Sequence, residues 1–169
     1  MTADPEPPAP APMRAVLDTS SLISEHRHWL WLLAQRGYYQ GIWSTFIVGE
    51  MVRVRVELSA ARGTPRATYR RRINDLIHLL SDVLLVADYR NAPSTAGALG
   101  DPDDEPILAA ALAAGAEAIV SLNTRDFPAG GAALGVRFLT PTEFLAELAA
   151  RHPDANVSGE ATGSGRALP

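Results

Sequence analysis

Short apolar strands alternating with helical stretches predict an α/β chain folded as a three-layer α/β/α sandwich around a central, mostly parallel sheet. Three observations carry that prediction. Segments 14–18, 83–87, 118–122 and 136–139 are brief, apolar and β-branched, the composition of strands buried on both faces. The stretches between them carry helical periodicity, which supplies the crossovers that parallel strands require. A length of 169 residues with 47% hydrophobic content is also enough for one core of ordinary size.

Taken in order, residues 2–12 hold five prolines among alanines and acids with no apolar period, so 1–12 reads as a disordered leader. The folded unit is expected over 13–150. Strand 14–18 ends on Asp18, and Thr19, Ser20 and Ser21 follow as helix-capping residues. Leu22, Ile23, Trp29, Leu30, Leu32 and Leu33 predict one helix with a broad apolar face, stopped by Gly37, and 41–43 a brief second strand. Ser44 or Thr45 caps a helix carrying Phe46, Ile47, Met51, Val54 and Leu58, with Glu50 at the margin of its apolar face. After the break at 63–65, Thr64 caps a helix whose buried side is Ile73, Leu76, Ile77, Leu79 and Leu80.

A buried-type strand at 83–87 then leads through the Pro-, Ser-, Thr- and Gly-rich loop 91–100 into Asp101. There Asp103 or Asp104 can cap a helix, with Pro106 in its first turn, Glu105 at the positive end of the dipole and Gly115 as its stop. Strand 118–122 runs into Asn123, Thr124, Arg125 and Asp126, and a glycine-rich loop over 128–135 precedes the last strand. Thr140 and Glu143 fit a capping box for a final helix at 141–150, and 151–169 reads as a disordered tail.

The absence of cysteine excludes disulfides and thiolate metal sites and permits a reducing, cytoplasmic setting. Apolar runs stop short of the roughly 18 residues a membrane span needs, and no basic-then-apolar secretion signal opens the chain. No membrane association is therefore expected. The net charge of -4 is unevenly spread: every basic residue is arginine, and Arg53, Arg55, Arg62, Arg66, Arg70, Arg71 and Arg72 fall close together. Acids crowd positions 101–105. A negative pocket beside a positive surface suits a metal site that handles a polyanion, although arginines on a helix are also an ordinary solvated face.

Four acids stand at chemically useful places: Asp18 and Asp126 just past strands, Asp104 at a helix start and Glu50 within a helix. Carboxylates brought together raise one another's pKa, a cost that Mg²⁺ or Mn²⁺ removes, and hard divalent ions favour carboxylate and water oxygens. Taken singly, Asp18 and Asp104 also read as helix caps, Glu50 as a surface residue and Asp126 as a turn former. No histidine stands at a zinc-ligand spacing, and nucleophile-elbow, P-loop and dinucleotide glycine motifs are absent. A receiver-type phosphoacceptor domain needs a lysine, which this chain lacks, and a haloacid-type phosphatase needs an acid where Ser20 stands.

Val16 to Ile23, the 44–56 helix with Glu50, Asp101 to Ala111 and Ile119 to Pro128 together resemble the PIN-domain family, and within it the toxin-like, VapC-related branch. The resemblance covers 13–148. It implies that Asp18, Glu50, Asp104 and Asp126 are catalytic, metal-binding acids and that Ser20 occupies a supporting polar position. Asn123 stands where many members carry a further Asp, while Asp101 and Asp103 are expected as caps or groups one layer out from the ion. The implied activity is Mg²⁺- or Mn²⁺-dependent cleavage of RNA. Arg53, Arg70, Arg71 and Arg72 would contact RNA phosphates or a cognate antitoxin protein. Trp29 and Trp31, if exposed, point to a homodimer, although a tryptophan on an apolar helix face is more often core. The other reading is a degenerate PIN-fold module that binds RNA or a partner without turnover, for which Asn123 speaks.

Overall fold

The structure, a computed structural model, describes residues 12–153. The expected leader, apart from Pro12, and the expected tail from 154 onward lie outside the described residues. Six strands form one sheet: β1 (Met13–Leu17), β2 (Tyr39–Ser44), β3 (Leu85–Ala87), β4 (Ala118–Val120), β5 (Ala132–Ala133) and β6 (Val136–Leu139). Their spatial order is β3-β2-β1-β4-β6-β5, parallel except where β5 meets β6. The helices are α1 (Thr19–Ile23), α2 (Arg27–Gln35), α3 (Thr45–Ala61), α4 (Arg66–Ser81), α5 (Glu105–Ala113) and α6 (Pro141–Arg151).

From β1 the chain steps to β2 and then β3, and next crosses back over both to reach β4 on the other side of β1. Parallel crossovers are right-handed, so α1 to α4 cover one face of the sheet and α5 the other, which is the three-layer sandwich. The reversal makes the paired β1 and β4 the switch point of the sheet, where Leu17 lies beside Val120. Chain leaving their carboxyl ends diverges to opposite sides and opens a crevice.

Composition accounts for the central layer. Ala15, Val16, Leu17, Ala118, Ile119 and Val120 are buried because β1 and β4 have strands on both sides and helices above and below. In α5, Leu108, Ala110 and Ala111 are fully enclosed, and the small alanines let this helix lie close to the sheet. Tyr39 of β2 donates its hydroxyl to the Leu30 carbonyl of α2 at 2.7 Å and stands edge-on to Phe144 of α6, centroids 4.9 Å apart. Among the described residues no helix is long and apolar enough to cross a membrane.

Several elements differ from the sequence expectation. The helix expected through Leu22 to Leu33 is two helices, broken where Ser24 turns extended and its hydroxyl donates back to the Ser21 carbonyl at 2.8 Å. Strand β2 begins earlier than expected because Tyr39 and Gln40 pair with Met13 and Arg14 of β1. The segment 83–87 is no buried strand: only Leu85–Ala87 pairs, at the sheet edge, leaving Leu85 51% and Val86 61% exposed. Pro65, without a side-chain cap, starts α4 instead of Thr64, and β5 lies within the expected glycine-rich loop. Of the two readings of Trp29 and Trp31, the structure is nearer the core one: both are half-buried, and the Trp31 indole donates to the Leu79 carbonyl at 3.2 Å.

Candidate functional site

Asp18 leaves β1 at the switch point, only 8% exposed, with its backbone N–H donating to the Val120 carbonyl. Three donors hold its carboxylate. The Thr19 N–H donates to Oδ1 at 2.7 Å, capping α1, while the Ser20 and Ser121 hydroxyls each donate to Oδ2 at 2.8 Å. The two serines also accept the backbone N–H groups of Leu122 and Asn123, which ties the strap after β4 to the same carboxylate. Thus Thr19, Ser20 and Ser21, expected as caps, cross-link instead, because Asp18 takes the cap. Ser21 donates to the Val120 carbonyl at 2.8 Å, and Thr19 donates to Glu50 Oε2 at 2.7 Å, anchoring α3 to the β1 end.

Capping at the start of α5 falls to Asp101 rather than to Asp103 or Asp104. Pro102–Asp104 forms a 3₁₀ turn capped by Asp101, whose Oδ1 accepts the Asp103 N–H at 2.9 Å. Neither Asp103 nor Asp104 caps α5 with its side chain, so the Asp104 carboxylate faces the crevice without that duty. Glu105, in the first turn, accepts the Gly97 N–H at 2.7 Å and pins the preceding loop.

Asp18, Asp104, Asn123 and Asp126 line one narrow cleft, closed behind by Ile107, Phe127 and Phe138. The cleft adjoins a groove lined by Glu50, Arg53, Asp101 and Asp103 together with Asp104, Asn123 and Asp126. Oxygens of Asp101, Asp104 and Asp126 can lie within 4.8 Å of one another, the one such acidic trio among the described residues. Asp101, expected as a cap or one layer out, is that cap and also stands with Asp104 and Asp126. Asn123 donates its side-chain amide to Asp126 Oδ2. Burial, and then the charges of Asp18, Asp126, Asp101 and Glu50, push the Asp104 carboxyl up to about 6. A group crowded by four like charges is a place where a cation lowers the energy. The donors are carboxylate oxygens, with neither sulfur nor imidazole, and such a set fits a hard divalent ion.

The arginines separate. Arg53 lines the acidic groove while pairing with Glu57 at 3.1 Å on the exposed face of α3. Arg70 and Arg71 are exposed on α4 and line neither cleft nor groove, and Arg72 turns to a different cavity beside Arg27 and Arg55. Sequence reasoning missed Thr19 and Ser121 as supports for the acids. A lone serine ending the apolar run of β4 was the available signal for Ser121.

A family model described as PIN domain matches residues 14–125, well over half of the chain, so Asp18, Glu50 and Asp104 fall inside the matched span and Asp126 directly after it. No curated protein and no solved structure matches.

Proposed function

Because this chain belongs to the PIN-domain family, generally a nuclease fold, we propose that it is a Mg²⁺- or Mn²⁺-dependent endoribonuclease hydrolysing RNA phosphodiester bonds. The observation that carries the reading is the convergence of Asp18, Asp126, Asp101 and Glu50 on Asp104, whose carboxyl burial, and then their charges, push up to about 6. Asp18, Glu50, Asp104 and Asp126 are the residues we assign to catalysis and metal binding, and Asp101 joins them through its place in the acidic trio. A bound divalent ion supplies charge neutralisation at phosphate oxygen and acidifies water for in-line attack.

The chain's own residues do the positioning. Ser20 and Ser121 hold Asp18 in one orientation and Thr19 holds Glu50, as outer partners do for metal-ligating carboxylates. Asn123 fixes Asp126, and Asp103 lies on the groove wall. Arg53 offers the groove a cation for a phosphate of the bound strand, and Arg70, Arg71 and Arg72 add positive charge on α4. Ile107, Phe127 and Phe138 narrow the cleft and limit water around the scissile group.

We assign the protein further to the cytoplasm, as the toxin of a toxin-antitoxin pair in the VapC-related branch. In that role it is held inactive by an antitoxin protein. The uneven charge of the surface supports a polyanionic substrate, and a neighbouring short reading frame for a DNA-binding antitoxin would support the toxin role.

The test is incubation of purified protein with RNA and Mn²⁺ beside Asp18→Asn and Asp104→Asn. Wild type is expected to cleave and both variants to lose at least a hundredfold in rate, the effect of removing a group that binds charge in the transition state. Equal cleavage by all three would assign the activity to a contaminant and end the proposal.

A further inference from the structure

Helix α3 and the Arg62 that caps its carboxyl end place residues 47, 51, 55, 58 and 62 on one face, at successive spacings of three and four. Ile47 and Met51 fill the core with that face, but the next two arginines on it, Arg55 and Arg62, continue the stripe toward α4. With Arg27 and Arg72 they line a cavity of about 300 Å³ that contains no carboxylate among its lining residues. None of the four is in an ion pair among the described residues. The Arg55 Nε–H is fully buried with no hydrogen-bond partner. An unsatisfied donor on a charged group is among the costliest arrangements a folded chain can hold. Burial, and then the charges of Arg27 and Arg62, lower the Arg55 pKa, and burial lowers that of Arg27.

We propose that this cavity is a phosphate-binding site, separate from the acidic cleft, in which Arg27, Arg55, Arg62 and Arg72 grip a phosphate group. Phosphate rather than carboxylate follows from the donor count. Four guanidinium forks, with Tyr69 and Thr64 at the wall, offer more donors than the two oxygens of a carboxylate can accept, and guanidinium pairs with phosphate in bidentate fashion. The volume matches the low end of small-ligand pockets, room for a diphosphate or for a phosphate carrying a sugar. No lining residue is shared with the acidic cleft or groove. Along the axis of α3, Arg55 and Arg62 are offset from Glu50 by about 8 and 18 Å at 1.5 Å per residue, and they turn to a different side of the helix. Both a polynucleotide backbone and a free phosphate compound present the same chemistry.

The experiment uses the full chain in EDTA, which separates it from any cleavage and from the nuclease reading. Thermal melts are recorded with sodium pyrophosphate, phosphate and glutamate at matched ionic strength. Arg55→Gln and the surface-lying Arg72→Gln are measured alongside, each checked for native circular dichroism. Pyrophosphate and phosphate are expected to raise the melting temperature of the wild type, and each variant to bind about tenfold more weakly, the loss of one charge-assisted contact. A parallel titration uses a single-stranded RNA oligonucleotide. A salt slope reduced by about 0.7 in Arg72→Gln assigns the site to a backbone phosphate; a response confined to phosphate and pyrophosphate assigns it to a free phosphate compound. Equal stabilisation by glutamate, no response to any phosphate, or responses unchanged in both variants would overturn the proposal.

Discussion

Asp104→Asn separates the electrostatic strain of the acidic cleft from its function. The carboxyl of Asp104 titrates at about 6 against an ordinary 3.8, raised by burial and by Asp18, Asp126, Asp101 and Glu50. A shift of that size corresponds to about 3 kcal/mol for a fully enclosed group, and solvent screening of this half-buried one reduces it to about 1 kcal/mol. Because the native pKa lies above the unfolded one, the stabilising contribution is complete below about pH 4 and is lost as pH rises through 6. At pH 7 without divalent ion the wild type therefore holds an ionised Asp104 at a cost that the amide avoids. Melting in EDTA at pH 7 should show Asp104→Asn about 2–4 °C more stable than wild type, with the difference gone at pH 4. Adding Mn²⁺ should reverse the order, since an ion bound to the native state stabilises by mass action and the variant offers it one ligand fewer. A variant less stable than wild type in EDTA at pH 7 would mean that Asp104 holds the fold together, and the strain argument would be wrong.

Ser121→Ala removes a donor to Asp18 Oδ2 and an acceptor for the Asn123 N–H, so cleavage should drop by about tenfold or more and stability by about 1 kcal/mol; full RNA cleavage by this variant would show that Asp18 needs no such support. Gly41→Ala directs a new Cβ into Leu84 Cδ2 in the core beneath β2, and urea unfolding should register a loss of about 1–3 kcal/mol. Glu147 binds Arg137 through both oxygens at 2.7 and 3.0 Å, joining α6 to β6, and this bond, ahead of the one from Arg151, lowers its pKa. The stability it contributes is present above the ordinary 4.5 and lost as pH falls through the lowered native value. Glu147→Gln should therefore cost about 1 kcal/mol at pH 7 and nothing at pH 2, as judged by denaturant midpoints.

Elements whose signal is local were legible. The apolar β-branched runs of β1 and β4 and the capping box of Thr140 and Glu143 depend on neighbours in sequence, and the structure forms them where composition places them. Strand β2 was under-read because Gln40 and Gly41 carry little strand preference, and only pairing with Arg14 and Ala15 of β1 draws them into the sheet. Leu85 and Val86 misled in the opposite sense. Their composition belongs to a buried strand, yet exposure depends on sheet position, and an edge strand has a neighbour on one side alone.

The candidate site divides along the same line. Charges announce themselves, so Asp18, Glu50, Asp104 and Asp126 could be grouped before any geometry was known, whereas Ser and Thr next to a helix start have an ordinary local role as caps. What Thr19 and Ser121 do became visible only when β1, α3 and β4 were set side by side. Asp101 shows the same division: its cap on the 3₁₀ turn at 102–104 is a local role, whereas its place beside Asp126 depends on chain that follows β4. Asn123 illustrates what an amide does where a carboxylate would be repelled. It donates to Asp126, which a second aspartate there could do only when protonated, and it leaves the cleft with one negative charge fewer. A position that weakens the case for an acidic corner when counted as a missing acid thus acts, in the folded chain, to hold the neighbouring carboxylate in place.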